Sequence, residues 1–340
     1  MASDGFRRKF VLYITNKYKV YMVKDKHIFI TGGAGFIANR LIKELVNDNF
    51  ITVYDNFYRD TLSHTDLSLH PNVNVIRGSV MDYEHLEASM EGADVVVHAA
   101  AIAGIDTVIK SPTHTMKVNI IGTTNALDAA VKHKVKDRFV NFSTSEVFGR
   151  MSFKSTEECS TNVGSAGEAR WTYAVSKLAA EHLAHAYFKE MGLPICTVRP
   201  FNVYGEGQTG EGALQIFIKR ALNDEDILIY GDGNQIRSWC YIDDFIEGLI
   251  LCISNPNAVG ESFNIGNAKS VITTYGLAQT VCKVLDSRSK IVFRPPLSAD
   301  IELRIPSVEK ADRLLGFRAE TMLDEGILRT AEWVKKLVAV

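Results

Sequence analysis

Short runs of consecutive apolar residues recur through the first two hundred positions and alternate with segments whose apolar residues are spaced three or four apart. The runs predict β-strands and the spaced segments predict helices, because these are the side-chain periodicities of the two structures. Runs that are apolar at every position are typical of parallel strands buried on both faces. The predicted strands occupy residues 27–31, 51–55, 73–76, 94–98, 139–142 and 195–198, and the main predicted helices occupy residues 112–134 and 171–191.

This alternation favours an α/β fold, a doubly wound parallel (Rossmann) sheet with right-handed crossovers and with ligands at the carboxyl ends of the strands. The later part of the chain is irregular and rich in glycine loops, which predicts a smaller C-terminal lobe over the cleft. One apolar run, 262–265, is expected to return to the main sheet. We expect a tail of unknown role at 1–21, a Rossmann domain at 22–200 with 236–268 partly returning to it, and the lobe at 201–340.

The composition is that of an ordinary globular chain. Its 340 residues are 46% hydrophobic and 23% charged, with a formal net charge of -2, so we expect no nucleic acid and no membrane among its partners. The cysteines are odd in number and scattered, which predicts reduced thiols of a cytoplasmic protein. Their spacing predicts neither a disulfide framework nor a metal site. They are Cys159, Cys196, Cys240, Cys252 and Cys282.

A glycine turn follows the first predicted strand. Gly32 permits a tight turn, and Gly35 lets the backbone approach a pyrophosphate at the N-terminus of the next helix. Ala38 takes the third position of the usual glycine fingerprint and is small enough for close helix–strand packing. Asp55 ends the second predicted strand, where an acid accepts hydrogen bonds from the adenosine ribose hydroxyls. A carboxylate there would repel a 2′-phosphate, so the sequence favours NAD over NADP.

Tyr173 and Lys177 lie four residues apart in a predicted helix, so their side chains share one face. A neighbouring ammonium favours the phenolate, and we expect it to lower the tyrosine pKa from about 10 toward neutral pH. The pair could then shuttle a proton while an alcohol is oxidised. A tyrosine and a lysine on a plain helix surface is the alternative that this spacing leaves open. His98 ends the fourth predicted strand, and we expect it to be a buried histidine without a chemical role.

Six motifs follow one another in a fixed order: 31–37 (TGGAGFI), 55–56 (DN), 143–149 (STSEVFG), 173–177 (Tyr-xxx-Lys), 199–205 (RPFNVYG) and 230–237 (YGDGNQIR). In this order the chain resembles, from Lys26 to its C-terminus, the extended short-chain dehydrogenases/reductases that modify nucleotide sugars. The resemblance implies NAD in the Rossmann domain and a UDP-, dTDP-, GDP- or CDP-sugar in the C-terminal lobe, with UDP expected. It also implies a transient 4-keto sugar and a homodimer formed through the helices at 112–134 and 171–191.

The resemblance assigns roles to individual residues. Tyr173 would take the C4 hydroxyl proton while hydride leaves C4 for NAD, Thr144 would hydrogen-bond the C4 oxygen, and Lys177 would hold the nicotinamide ribose. The expected substrate contacts are Thr144, Asn202, Arg237 and Arg304. The expected NAD contacts, from the turns and strand ends, are Gly32, Gly35, Phe36, Ile37, Asp55, Asn56, Ser79, Val80, Ala99, Ala100, Ala101, Asn119, Ser143, Tyr173, Lys177, Pro200, Asn202 and Val203.

Ser145 and Glu146 bear on the reaction that follows ketone formation. A 4-keto group acidifies neighbouring C–H bonds and turns a C6 carboxylate into a β-keto acid. The stretch Thr144-Ser145-Glu146 resembles UDP-glucuronate decarboxylases and GDP-mannose-type dehydratases more than 4-epimerases, which implies a lyase-type reaction with both residues in catalysis. Glu146 could instead cap a turn or pair with Arg170. A UDP-sugar 4-epimerase, a nucleotide-sugar ketoreductase and a non-catalytic NAD-binding protein are the alternatives left open.

Overall fold

The computed structural model describes residues 22–210, 212–296 and 300–338, so the predicted tail at 1–21 lies outside the described residues. The strands are β1 His27–Thr31, β2 Phe50–Asp55, β3 Val73–Arg77, β4 Val95–His98, β5 Arg138–Phe142, β6 Met151–Ser155, β7 Ile195–Pro200, β8 Val203–Tyr204, β9 Ile227–Tyr230, β10 Ile236–Ser238, β11 Cys240–Tyr241, β12 Glu261–Ile265, β13 Val271–Thr273, β14 Ile291–Arg294 and β15 Leu303–Pro306. The α-helices are α1 Phe36–Leu45, α2 Tyr83–Ser89, α3 Ile105–Lys110, α4 Pro112–Lys132, α5 Thr172–Met191, α6 Ala213–Leu222, α7 Ile242–Ser254, α8 Thr274–Val284, α9 Glu309–Leu315 and α10 Leu323–Val338.

Seven strands form the main sheet, in the order β12-β7-β5-β4-β1-β2-β3, and every neighbouring pair is parallel. This is the doubly wound sheet that the sequence predicts. The six predicted strands and the two main predicted helices are present, with ends that differ by no more than two residues. The run 262–265 belongs to β12 and pairs with β7. The sequence did not predict α2, α3 or β6.

Alternate residues of β1 enter two different cores. Ile28 and Ile30 pack with residues of α1 and α7 on one face of the sheet, and Phe29 packs with residues of α4 and α5 on the other. All three side chains are fully buried. A strand with a core on each face must be apolar at every position, which explains the continuous runs. No helix of the described segments is both long and apolar enough to span a bilayer.

A second, four-stranded sheet has the order β13-β10-β15-β6. β6 begins just after the turn that ends β5, so it ties this second sheet to the carboxyl edge of the main sheet. β10 and β15 run parallel with Arg237 opposite Arg304, and Arg304 also lies opposite Ser152 of β6. The pairing brings two arginines from the C-terminal part of the chain beside the end of β5.

Candidate active site

The glycine turn after β1 is shaped by close backbone contact. Gly32 has a φ of +70°, and a Cβ at this position would lie 2.6 Å from the backbone nitrogen of Ala100 at the end of β4. Gly35 precedes α1, and no described side chain caps that helix. The first-turn N–H groups of Phe36 and Ile37 therefore face outward without a capping partner, as a phosphate-binding helix terminus requires.

Asp55 is held at the end of β2 by backbone groups. Its Oδ2 accepts a hydrogen bond from the Ala34 N–H at 3.0 Å, and its Oδ1 accepts one from the Phe57 N–H at 2.7 Å. Burial raises the pKa of this carboxyl, and the backbone N–H groups oppose that effect. Each oxygen keeps further lone pairs for a donor. The position and charge fit the two hydroxyls of an unphosphorylated ribose.

The other residues expected to contact NAD lie at or beyond the carboxyl ends of consecutive strands of the main sheet, and most are partly exposed. These are Asn56, Ser79, Val80, Ala99, Ala100, Ala101, Ser143, Pro200, Asn202 and Val203, of which only Val80 and Ser143 are buried. The structure thus places this predicted set on one edge of the sheet. Their contact with NAD remains a prediction.

Asn119 lies one layer below the cleft. It is fully buried in α4, where its Oδ1 accepts from the Ile102 N–H at 2.8 Å and its Nδ2 donates to the Ile102 carbonyl and to Ser176 Oγ. Ser176 in turn donates to the Tyr173 carbonyl at 2.7 Å. The Asn119 amide therefore holds the segment after β4 and the start of α5 in place.

Lys177 carries a buried amino group that lacks a partner. Its side chain is 1% exposed, and Nζ has no hydrogen-bond partner among the described residues. Burial lowers the pKa of this group to about 8. A buried nitrogen without a partner is costly unless a ligand satisfies it. The hydroxyls of a ribose would do so, which fits the predicted role of Lys177.

His98 is a buried core residue, as the sequence analysis expected. Thr123 donates its own hydroxyl to the Asn119 carbonyl, so His98 Nε2 must donate to Thr123 Oγ1 at 3.0 Å. His98 Nδ1 then accepts from the Thr31 hydroxyl at 2.8 Å. Burial, together with the nearby Lys177, lowers its pKa to about 3. The imidazole is neutral, fixed and occupied on both nitrogens.

The expected lowering of the Tyr173 pKa is wrong for the cleft without ligands. Burial raises the pKa of the phenol well above its ordinary value, and the carboxylate of Glu146 raises it further. A hydrogen bond with Thr144 and the charge of Arg170 act in the opposite direction. The helix spacing does place Lys177 one turn away, but burial is the largest of the effects on this pKa and raises it. Ionisation of Tyr173 therefore needs an additional positive charge in the cleft.

Thr144 caps the turn after β5 and also lies beside Tyr173. Its Oγ1 accepts from the Glu146 N–H at 3.2 Å and so caps the 3₁₀ turn Ser145–Phe148. The same residue lies close enough to Tyr173 to lower the pKa of that phenol. Thr144 and Tyr173 thus present two oxygens to one point, the arrangement required to bind a substrate hydroxyl.

Glu146 forms a two-pronged ion pair with Arg170, with distances of 2.7 and 3.2 Å from the guanidinium nitrogens to the carboxylate oxygens. Arg170 is 4% exposed and its Nε has no partner among the described residues. The ion pair that the sequence left open is therefore present. It lies beside the reacting groups as well, because both charges act on the pKa of Tyr173.

Arg304 and Arg237 complete a charged cluster around that ion pair. Arg304 is 2% exposed and donates to the Gly149 carbonyl and, at 3.4 Å, to Ser145 Oγ, while its Nε has no partner among the described residues. Arg237 donates to Asp300 at 3.0 Å. Burial lowers the Arg304 pKa to about 10, with Glu146, Asp300 and the other two arginines all acting on it. Among the described side chains, three guanidinium groups face two carboxylates in this cluster, which gives it a net positive charge.

Asn202 lies at the junction of the two sheets. Its φ is +39°, a left-handed conformation that asparagine tolerates better than most residues. Its Nδ2 donates to the Ser238 carbonyl at 2.8 Å, and its carbonyl accepts from the Cys240 N–H at 3.2 Å. These bonds connect the end of β7 to β10 and β11. Backbone strain of this kind is concentrated at functional sites.

Sequence reasoning missed several residues that support the site. Asp300, Glu181 and Arg199 have their partners elsewhere in the chain, and Ser176 joins distant Asn119 to the nearby Tyr173 carbonyl. Of these residues only Glu181 had a local signal, since it follows Lys177 by four residues on the same helix.

Comparison with known proteins gives concordant matches. Residues 28–266 match the NAD dependent epimerase/dehydratase family. The chain is 34% identical over 324 residues to a UDP-N-acetyl-alpha-D-glucosaminuronate decarboxylase of Bacillus cytotoxicus, covering 92% of this chain and 98% of the relative. It is 32% identical over 338 residues to UDP-glucuronic acid decarboxylase 1 of Danio rerio, covering 97% and 78%. Its fold matches the UDP-glucuronic acid 4-epimerase of Bacillus cereus in complex with UDP-glucuronic acid and NAD, with a TM-score of 0.84, 29% identity and coverage of 92% and 99%.

Proposed function

The chain belongs to the NAD-dependent epimerase/dehydratase family, and we propose that it is a decarboxylase of a UDP-linked hexuronic acid that acts through a transient 4-keto sugar. The observation that carries the proposal is the arginine cluster beside Tyr173, which has a net positive charge among the described side chains. The decarboxylases among its relatives support the same reaction.

The NAD site rests on the glycine turn, Asp55 and Lys177. The turn offers free helix N–H groups to the pyrophosphate, Asp55 accepts from the adenosine ribose, and Lys177 donates to the nicotinamide ribose. Bound NAD supplies the hydride acceptor for C4 and returns the hydride later. We assign NAD to the domain at 22–200 and the nucleotide sugar to the lobe at 201–340, which contributes two of the three arginines.

The first chemical task of the protein is to hold and deprotonate the C4 hydroxyl. Thr144 fixes the oxygen, and Tyr173 accepts its proton. Oxidised NAD would bring the additional positive charge that ionisation of Tyr173 requires, beside the Lys177 ammonium already present in the cleft. The ketone that results makes a C6 carboxylate the acid group of a β-keto acid, whose loss of carbon dioxide leaves an enolate. Thr144 and Tyr173 then stabilise the C4 oxyanion as hydrogen-bond donors.

The arginine cluster is the feature that would favour a sugar with a C6 carboxylate over a neutral sugar. Glu146 and Arg170 lie near enough to Tyr173 to act on its pKa, and Arg237 and Arg304 lie beside that ion pair, so we place the cluster and its net positive charge at the reacting end of the sugar. Arg304 is 2% exposed and its Nε has no partner among the described residues, and guanidinium groups are well matched to carboxylates. A neutral hydroxymethyl group at C6 would leave that charge uncompensated.

Two further reactions of the family differ in what they require of Glu146. Dehydration needs a base at C5, and the two-pronged bond to Arg170 leaves the Glu146 carboxylate poorly placed for that task. Decarboxylation needs no such base. A 4-epimerase of a hexuronic acid would bind the C6 carboxylate of the sugar without removing it, as the structural neighbour that binds UDP-glucuronic acid illustrates.

Product masses test the proposal directly. The purified protein is incubated separately with UDP-glucuronate, UDP-N-acetylglucosaminuronate, UDP-glucose and dTDP-glucose, with Tyr173→Phe as the inactive control. We expect loss of carbon dioxide from a uronate and no reaction of the neutral sugars. Loss of water, or a product of unchanged mass, would replace decarboxylation by dehydration or epimerisation.

We also propose a homodimer in the cytoplasm. The outer faces of α4 and α5 expose apolar side chains, among them Ile121 (42% exposed) and Val175 (37% exposed), which would pack against the same helices of a second copy. All five cysteines are unpaired, as a reducing compartment requires. Sedimentation of the wild type and of Val175→Asp checks the assembly, and we expect the variant to shift from dimer to monomer.

A further inference from the structure

The helix that carries Tyr173 and Lys177 carries a third polar residue one turn further on. Glu181 continues the i, i+4 series of α5, and its side chain is 4% exposed. Its carboxylate accepts hydrogen bonds from three neighbouring strands of the main sheet: Ser143 Oγ just past β5 at 2.6 Å, Arg199 of β7 at 2.8 Å and Ser262 of β12 at 2.8 Å. One helix residue thus fixes three strand ends.

The charge on this carboxylate is strongly favoured. Burial raises the pKa of Glu181, but the Arg199 guanidinium and the two hydroxyls outweigh burial, so the pKa lies below its ordinary value. A well-packed apolar pair would stabilise a buried site as well as an ion pair does. The ion pair additionally fixes the positions of the groups around Glu181, because each of its hydrogen bonds is favourable only over a narrow range of distances and angles.

Ser143 is the link between this network and the chemistry. It immediately precedes Thr144, which lies close enough to Tyr173 to lower the pKa of that phenol. The buried Ser143–Glu181 bond therefore ties the end of β5 to α5 next to the point where Thr144 meets Tyr173. Thr144 and Tyr173 themselves must leave room between them for a substrate hydroxyl.

We propose that Glu181 is a positioning residue that, through Ser143, holds Thr144 at the distance from Tyr173 that binding of the C4 oxygen requires. The inference rests on the proposed function, which assigns the C4 oxygen to Thr144 and Tyr173. The bond to Ser262 leads along α5 instead, since Ser262 Oγ also accepts from His185 Nε2 at 2.9 Å, one turn beyond Glu181 on the same face of the helix.

The two serines provide a matched pair of variants. Ser143→Ala and Ser262→Ala each delete one hydroxyl that donates to the same carboxylate, at nearly the same distance, and both keep the Arg199 ion pair. We expect both to lower the unfolding midpoint by a similar amount. We expect only Ser143→Ala to lower kcat, by about tenfold to a hundredfold, since misplacement by about 1 Å can have that effect. KM should change little, and Ser262→Ala should keep wild-type kcat.

A second readout does not depend on turnover. In protein labelled with ¹³Cζ-tyrosine, the NMR resonance that is absent from the spectrum of Tyr173→Phe belongs to Tyr173. Its chemical shift reports the contact of the Tyr173 phenol with Thr144. We expect it to move in Ser143→Ala and in Glu181→Gln, in the same direction as in Thr144→Val, and to stay in place in Ser262→Ala. An unmoved resonance in Ser143→Ala would overturn the proposal, as would loss of bound NAD without a moved resonance, which would assign Ser143 to the cofactor. If no uronate loses carbon dioxide, the proposed function fails while this readout still decides the role of Glu181.

Discussion

Lys177 is held in a position that favours function over stability. Its pKa is about 8 in the folded protein against 10.5 for the free side chain, because burial disfavours the charge. The folded state therefore binds fewer protons than the unfolded state between these two values, so its stability rises as pH rises through that window. Below pH 8 the lowered Lys177 pKa has its full destabilising effect on the folded state.

We accordingly predict that Lys177→Met stabilises the NAD-free protein by about 3 kcal/mol at pH 7, and that the gain disappears as pH approaches 10.5. Chemical denaturation at several pH values measures it. Lys189→Met, in the exposed last turn of the same helix, is the control and should show no such dependence. A gain that is constant with pH would assign the effect to added apolar surface.

Glu146→Gln tests the ion pair at the site. The change leaves the Arg170 guanidinium buried without its charge partner, which costs about 3–5 kcal/mol, and it removes the carboxylate that raises the Tyr173 pKa. We expect turnover to fall by about tenfold to a hundredfold, because the ion pair no longer fixes the groups beside Tyr173, and we expect the rising limb of the pH profile to move to lower pH. Glu168→Gln, which alters an acid that caps only the backbone of Arg170, is the control. Unchanged turnover in Glu146→Gln, with Tyr173→Phe inactive, would contradict a role for Glu146.

Among individual residues, the sequence revealed those whose role depends on local geometry. Gly32, Asp55, Tyr173 and Lys177 could be found because a turn, a strand end and a helix spacing are visible in a short stretch of chain. The Tyr173 pKa was predicted in the wrong direction because burial depends on the whole cleft. Glu181 was missed since its partners Ser143, Arg199 and Ser262 are distant in sequence.

Among the secondary-structure elements, those of the main sheet were predictable and those of the second sheet were not. A strand buried on both faces is apolar throughout, so β1 and β4 stand out from their surroundings. Strands β6, β10 and β15 have three to five residues, mix polar with apolar positions and pair across long stretches of chain. No local pattern encodes such pairing.

The close backbone contact in the turn between β1 and α1 can be tested by substitution. Gly32→Ala adds a Cβ 2.6 Å from the Ala100 nitrogen, at a φ of +70° that already strains an alanine. We expect loss of bound NAD and of about 3 kcal/mol or more of stability, measured by NAD content and unfolding. Gly192→Ala has nearly the same φ but open space around its Cβ, so it separates strain from collision. Equal effects in both variants would rule out the collision.

In the whole molecule, the arginine cluster is assembled from parts that only the complete fold brings together. Arg170 precedes α5, whereas Arg237 and Arg304 come from two strands of the second sheet. The sequence indicated the last two through family resemblance, but their common environment depends on the junction of the two sheets. Substrate choice is therefore a property of the assembled protein.

Arg304→Met tests that property. Loss of a charge-assisted bond of about 1.5–3 kcal/mol should weaken binding of UDP-glucuronate by about tenfold to a hundredfold and leave binding of UDP-glucose nearly unchanged. Calorimetric titration with both ligands measures the difference. Arg318→Met, on an exposed surface, should affect neither ligand. An equal loss for both ligands would place Arg304 at the diphosphate instead.

The late return of β12 has a consequence for synthesis on the ribosome. β7 gains its outer neighbour only when residue 265 has emerged, so every shorter nascent chain displays the bare edge of β7. An unpaired edge of this kind recruits other chains. Translation that stops between residues 200 and 261 would release an aggregation-prone product, and a split of the gene in that interval would leave neither half able to close the sheet by itself.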